Sequence, residues 1–284
     1  MKDFTGKTAV ITGAASGIGF ALAKHAAAQG MNLVLADIDL DALNNAIPLL
    51  GLAPDRVLGV RTDVRHDTEI KALADAAYAQ FGAVHLLCNN AGVALGRVTW
   101  ESTKADWEWV LQVNLWSVIY GVSEFLPRMQ AQGGEAHIVN TASAAGLVST
   151  PGMAAYNVSK HGVVTLSETL FLELQMSQAQ NTESQIGVSV LCPAWVPTGI
   201  GKSERNRPAD VSNTKPLEGL SAKINKRIGK AIASGHLSAD DIANETFNAI
   251  AENRFYVIPH RNINNAIETR MNEVLGQTNP TLPK

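Results

Sequence analysis

Residues 8–19, TAVITGAASGIG, decide the reading of the fold. Thr8, Ala9, Val10 and Ile11 form a short, apolar, β-branched run that suits a strand buried on both faces. The pattern breaks at Thr12 and Gly13. A helical pattern rich in Ala and Leu follows over 17–29 and is closed by Gly30. Gly13, Gly17 and Gly19 let the backbone turn sharply and approach a ligand closely. Ser16 and Ile18 stand between them. A helix that starts here offers free N–H groups and a partial positive charge, which together hold a pyrophosphate. The spacing is G-x-x-x-G-x-G and not the common G-x-G-x-x-G. A Gly-rich turn with a purely structural role is the competing reading.

Working outward, strand patterns recur at 32–36, 57–61, 84–88, 137–140, 187–191 and 255–258. Helical patterns separate them at 39–48, 67–80, 103–129, 153–175 and 238–252, and a last one covers 262–275. Asp39 and Ser238 stand where N-caps belong, and Asp241 completes an acidic variant of a capping box. Strands alternating with helices through short loops predict parallel βαβ units, with helices on both faces of the sheet. Residues 178–185 read as a polar loop. From 199 to 237 the pattern weakens, and a long irregular stretch inside a domain is read as a mobile substrate lid. Residues 1–260 are expected to form one catalytic domain, followed by a helix and a loose tail over 261–284.

Of the 284 residues, 46% are hydrophobic and 17% charged, as in a well-buried globular chain. A net charge of −3 without a basic stripe argues against nucleic acid and anionic membranes as partners. The two cysteines, Cys88 and Cys192, lie in or beside apolar runs and read as buried thiols of a reducing compartment. The seven histidines show no metal-ligand spacing, so no metal is expected. No signal segment is visible, and no apolar run reaches the ~18 residues of a membrane span. A soluble, cytoplasmic protein is expected. Trp100, Trp107, Trp109 and Trp116 are read as core and interface packing.

Ligands of such sheets bind beyond the carboxyl ends of the strands. Asp37 ends the second strand, where a carboxylate can accept from both hydroxyls of an adenosine ribose and would repel a 2′-phosphate. Its neighbour Ile38 and residues 14–16 are not basic, so NAD is favoured over NADP. Further on, SAAGLVSTPGMAAYNVSK covers 143–160. On a helix, Tyr156 and Lys160 lie one turn apart on one face. A fixed ammonium lowers the pKa of a nearby phenol, giving an acid/base group closer to neutral pH. Ser143 supplies a hydroxyl for a substrate oxygen.

Thr12, the three loop glycines, Asp63, Asn89–Asn90–Ala91–Gly92, Asn114, Ser143, Tyr156-x-x-x-Lys160 and Pro193-x-x-x-Pro197-Thr198 stand in one order along the chain. In this the chain resembles the short-chain dehydrogenases/reductases, closely over 7–198 and loosely over 238–259. The resemblance implies a single Rossmann-type, doubly wound, seven-stranded parallel sheet. It implies Tyr156 as general acid in reduction and base in oxidation, with Lys160 also bonding the nicotinamide ribose. Asn114 would hold a relay water behind Lys160. Asp63 and Val64 would border the adenine, with Asn90, Ala91 and Gly92 against its ribose and Val113 nearby. Pro193, Val196 and Thr198 would position the nicotinamide. Relatives pair through the helices at 103–129 and around Tyr156, which implies a homodimer or homotetramer.

Leu95, Ala145, Leu147, Met153, Trp195 and Ile200 are expected to line the substrate pocket, together with Val93, Ala94, Ala144 and the lid. That lining favours an apolar secondary alcohol or ketone, aromatic, steroid-like or aliphatic. The alternatives are a 3-ketoacyl carrier-protein reductase and a non-catalytic NAD-binding regulator.

Overall fold

The computed structural model describes residues 1–178, 184–213 and 215–282. Its strands are β1 (Thr8–Thr12), β2 (Asn32–Asp37), β3 (Val57–Arg61), β4 (Leu86–Asn89), β5 (Gly134–Thr141), β6 (Ser184–Leu191) and β7 (Tyr256–Val257). They form one seven-stranded sheet in the order β3-β2-β1-β4-β5-β6-β7. Every pair is parallel, with Val10 opposite Val34 on one side and Leu87 on the other. The chain winds outward from β1 in one direction and from β4 in the other, so the crevice between these two strands is the switch point of the topology.

Successive side chains of a strand point to opposite faces. Val10, Val34, Leu87, Ile138 and Val188 share one core cluster with Leu73, Trp109 and Phe125. Ile11, Leu33, Leu35, Cys88 and Val139 share another with Leu22, Ile242 and Phe247. The first layer is covered by α3 (Asp67–Phe81), α4 (Lys104–Leu111), α5 (Ser117–Gln132) and α6 (Ala154–Gln178), and the second by α1 (Gly17–Ala28) and α8 (Ala239–Glu252). Between β2 and β3 lies α2 (Leu40–Ala46), capped by Asp39, whose carboxylate accepts from the Ala42 N–H at 2.9 Å. The Ser238–Asp241 capping box forms as the spacing predicts.

The sequence reading and the structure part company in several places. The stretch 103–129 is two helices joined by a π-helical turn, Gln112–Trp116, which carries Asn114. The 199–237 stretch is not irregular throughout, because α7 (Gly219–Ala233) occupies much of it. Ile224, Ile228 and Ile232 recur every fourth residue and pack against Ala145, Met153 and Tyr156, a spacing masked by the Lys, Ser and Asn around them. Strand β5 and β6 begin earlier than expected; of the predicted 178–185 loop, residues 179–183 lie outside the described residues. Of the four tryptophans, Trp109 is fully buried, whereas Trp100 and Trp116 are 79% and 46% exposed. The last helix, α9 (Asn264–Leu275), buries no residue completely. Both cysteines are free and buried.

His137 on β5 is fully buried, with Nε2 2.8 Å from Ser189 Oγ, and that hydroxyl donates to the Arg254 carbonyl at 2.7 Å. Burial pushes its pKa down to about 3. The unfolded chain takes up a proton near pH ~6.5 that the folded one excludes. Its contribution to stability is therefore complete above that pH and is lost as pH falls toward 3. Urea unfolding at pH 7, 6 and 5 is expected to show this loss, with a slope of up to about 1.4 kcal/mol per pH unit from this group. His137→Gln should show a shallower slope, and equal slopes would contradict the assignment.

Candidate active site

A cleft of about 430 Å³ opens at the carboxyl ends of β1, β4, β5 and β6. Its outer wall begins with the glycine turn. Gly13 and Gly17 have φ of +65° and +56°, where glycine alone is unstrained. A Cβ on Gly19 would stand 2.1 Å from the Gly13 carbonyl oxygen, and one on Gly13 2.9 Å from Ala91 Cα. The turn is thus pressed against the loop after β4. Thr12 ties the two together: Oγ1 accepts from the Asn90 and Ala91 N–H groups at 2.9 and 3.0 Å, and Asn90 Nδ2 donates to the Thr12 carbonyl at 2.9 Å. Ser16 makes no side-chain cap, and the first turn of α1 carries no acidic residue. Its N–H groups remain available to an anion. Ser16, Ile18, Asn90 and Gly92 all line the cleft.

Asp37 is fixed by two backbone donors, Ala15 at 3.0 Å and Asp39 at 3.1 Å, with Ile38 beside it on the cleft wall. Asp63 and Val64 lie at the same end. Arg65, which the sequence reading did not single out, grips the Asp63 carboxylate at 2.8 Å and reaches Asp210 at 2.9 Å. Burial alone would raise the Asp63 pKa, but the Arg65 hydrogen bonds and charge outweigh it and hold the carboxyl below its usual range.

At the inner end, α6 brings Tyr156 and Lys160 onto one face, with Nζ 5.7 Å from the phenol ring centre. The Lys160 ammonium donates to the Thr141 carbonyl at 2.8 Å. Ser143 Oγ donates to the Pro193 carbonyl at 3.3 Å, accepts from the Ala145 N–H at 3.2 Å and is hydrogen-bonded to Tyr156. Asn114 is fully buried; its side chain accepts from the Val93 N–H at 2.8 Å and donates to the Val93 carbonyl at 2.9 Å and Ser159 Oγ at 3.1 Å. A Cβ on Gly92 would lie 3.4 Å from Asn114 Oδ1 and 3.6 Å from Lys160 Nζ. Val113 lines the same cleft.

The electrostatics correct one expectation. The Tyr156 pKa is raised and not lowered: burial is the largest cause, opposed by the Ser143 hydrogen bond. Burial instead pushes Lys160 down to about 8, and pushes the neighbouring Cys192 thiol up to about 12. Removing both partners from water disfavours each charged form, and the ammonium turns to the Thr141 carbonyl.

Pro193, Val196 and Thr198 form the opposite wall. That loop is held by two bonds absent from the sequence reading, Ala144 N–H to the Pro193 carbonyl at 2.8 Å and Ala194 N–H to His260 Nδ1 at 3.1 Å. Of the residues proposed for the substrate, Ala145, Met153, Trp195 and Ile200 line this cleft. Leu95 and Leu147 do not. Leu95 is buried in the main core, and the 3₁₀ turn Ala144–Gly146 carries Leu147 behind the wall, against Val118, Val163 and Val190. Val148, Thr150 and Ile232 take their places, joined by Asn262 and Ile263 from the segment after β7. Among the described residues no cluster of three His, Cys, Asp or Glu side chains could hold a metal, and no helix is long and apolar enough to cross a membrane.

Residues 7–209 match the profile of the short chain dehydrogenase family. The chain is 36% identical over 282 residues to the CLA biosynthesis dehydrogenase/reductase of Lactiplantibacillus plantarum, covering 99% of this chain and 97% of that protein. It is 32% identical over 269 residues to the 1-deoxy-11-beta-hydroxypentalenate dehydrogenase of Streptomyces avermitilis, covering 94% and 89%. A crystal structure of a short chain dehydrogenase/reductase from Burkholderia phymatum in complex with NAD superposes with a TM-score of 0.95 at 48% identity, over 100% of this chain and 99% of that one.

Gly19→Ala tests the packing of the glycine turn. The added methyl meets backbone, so an overpacking cost of about 1–3 kcal/mol is expected, visible by calorimetry as a melting temperature several degrees lower. An unchanged melting temperature would show that the turn relaxes freely.

Proposed function

The chain belongs to the short-chain dehydrogenase/reductase family, and from that premise we propose that it is an NAD(H)-dependent oxidoreductase interconverting an apolar secondary alcohol and its ketone. The observation that carries this reading is the buried Ser143–Tyr156–Lys160 group at the inner end of a cleft whose outer end is a glycine turn and Asp37. The bound nicotinamide supplies or accepts the hydride.

In reduction, Tyr156 Oη donates its proton to the substrate oxygen, and in oxidation it takes the proton back. Ser143 Oγ holds the same oxygen. Lys160, with its pKa near 8, stays protonated at neutral pH and favours the phenolate over the phenol. Tyr156 needs that help, because burial makes it a weaker acid. The positive charge of an oxidised ring beside it acts in the same sense. Both polar ends of the Asn114 side chain are engaged with Val93 and Ser159. A relay water behind Lys160 would therefore be held by the main chain of the π turn, where the usual helical bonding is interrupted.

Preference for NAD follows from Asp37, whose carboxylate would repel a 2′-phosphate. Arg65 lines the same end of the cleft but is committed to Asp63 and Asp210. The substrate wall of Ala145, Met153, Trp195 and Ile200 favours an apolar skeleton, and one relative is named for dehydrogenating a hydroxypentalenate. Residues 1–260 are proposed as the catalytic domain, with Asn262 and Ile263 adding to its pocket. Exposed Trp116, just before α5, and Val158 and Leu172 of α6 support the reading that this face would be the subunit contact of a homo-oligomer.

Tyr156→Phe is expected to lower kcat by roughly 10²–10⁴-fold while NADH still binds. Turnover near wild type across a panel of secondary alcohols and ketones would sink the mechanism. Asp37→Ser should narrow the ratio of kcat/KM between NADH and NADPH, whereas a wild-type enzyme that favours NADPH would overturn the cofactor assignment.

A further inference from the structure

We propose that Arg205 binds the pyrophosphate of the dinucleotide, from the segment that follows the nicotinamide wall; the proposal rests on the dinucleotide reading above. Three cationic side chains line the cleft among the described residues: Arg65, Lys160 and Arg205. Arg65 is held by two carboxylates, Asp63 at 2.8 Å and Asp210 at 2.9 Å. Lys160 is buried at the inner end and donates to the Thr141 carbonyl. Of the two arginines, Arg205 alone has a free edge. Its Nη1 donates to the carbonyls of Gly199 at 2.9 Å and Lys202 at 3.0 Å, which orients the guanidinium. Its Nε and Nη2 have no hydrogen-bond partner among the described residues, and Arg205 forms no ion pair there.

The position of that edge decides the ligand. A Cβ on Gly199 would lie 3.3 Å from Arg205 Nη2, and a Cβ on Gly17 would lie 3.3 Å from Thr198 Cβ. Arg205 Nη2 thus packs beside Gly199, the neighbour of Thr198, whose side chain abuts the N-terminus of α1. A pyrophosphate seated on that helix end carries two negative charges, and the helix offers only about half a charge in return. The lining carboxylates Asp37, Asp39 and Asp63 add none. A guanidinium presents paired N–H groups in the planar fork that suits phosphate oxygens. Arg205 is exposed, so its contribution is screened by salt.

Binding of NADH and of ADP-ribose is to be measured by calorimetry for wild type, Arg205→Ala and Arg205→Lys, with adenosine as a ligand that lacks phosphate. Arg205→Ala is expected to bind NADH and ADP-ribose roughly tenfold more weakly, the lower end for a hydrogen bond to a charged group. Adenosine binding should not change, Arg205→Lys should restore part of the loss, and added salt should shrink the difference. ADP-ribose binding equal to wild type in Arg205→Ala would overturn the proposal alone, and a raised KM for carboxylate-bearing ketones in that variant would move the arginine to the substrate. Wild-type protein that binds neither NADH nor ADP-ribose would overturn the dinucleotide reading as well.

Discussion

An ammonium held in the protein interior without a carboxylate partner is the constraint on which the site depends. Lys160 is 2% exposed and its described hydrogen bond goes to a backbone carbonyl, Thr141 at the end of β5. Burying a cation in this way is costly, and the cost appears as a pKa near 8 instead of the usual ~10.4. The surrounding structure holds it there. Gly92 leaves no side chain between the ammonium and Asn114, Asn114 fastens the loop after β4 to α6 through Ser159, and the Cys192 thiol beside it stays protonated. Gly92 and Cys192 stand just beyond the ends of β4 and β6, whereas Asn114 comes from the π turn and Ser159 from α6, so sheet and helices together set where the charge can be.

The segment over the cleft is anchored by a second set of buried charges. Asp106, fully buried in the first turn of α4, lies 2.8 Å from Arg207 Nη2 and 3.5 Å from Arg97 Nε, and accepts from Asn213 at 2.8 and 2.9 Å. Burial would raise its pKa; the hydrogen bonds to Thr103, Asn213 and Arg207 outweigh that and hold it low. Arg207 also stacks over Trp109, a residue of the cleft wall, at 4.7 Å. With Arg65–Asp210 at one end and Ser221–Glu101 at the other, the stretch read as a mobile lid is strapped to the domain at several points. Buried ion pairs fix geometry more surely than they add stability, which suits a segment that positions Arg205.

Much of this was legible in the chain. The apolar runs of β1, β2 and β4 are buried on both faces, so no polar alternation confuses them, and the glycine turn and Tyr156–Lys160 spacing follow from local geometry. What escaped was decided by contacts between distant segments. Arg65 reads as an ordinary surface residue until Asp210 arrives beside it, and His260 until the loop at Ala194 packs on it. Leu95 and Leu147 have the right chemistry for a pocket but face the core. The isoleucines of α7 did carry a four-residue period, hidden in a polar stretch. The direction of the Tyr156 shift depends on burial, which a sequence does not display, and burial outweighs the opposing Ser143 hydrogen bond.

The proposed chemistry turns on whether cofactor charge completes what Lys160 begins. The direct measurement is the ultraviolet difference titration of tyrosinate, wild type minus Tyr156→Phe, with and without saturating NAD⁺. The Tyr156 signal is expected only above pH ~10 in the free protein, and at distinctly lower pH once NAD⁺ is bound. The same midpoint in both states would contradict it.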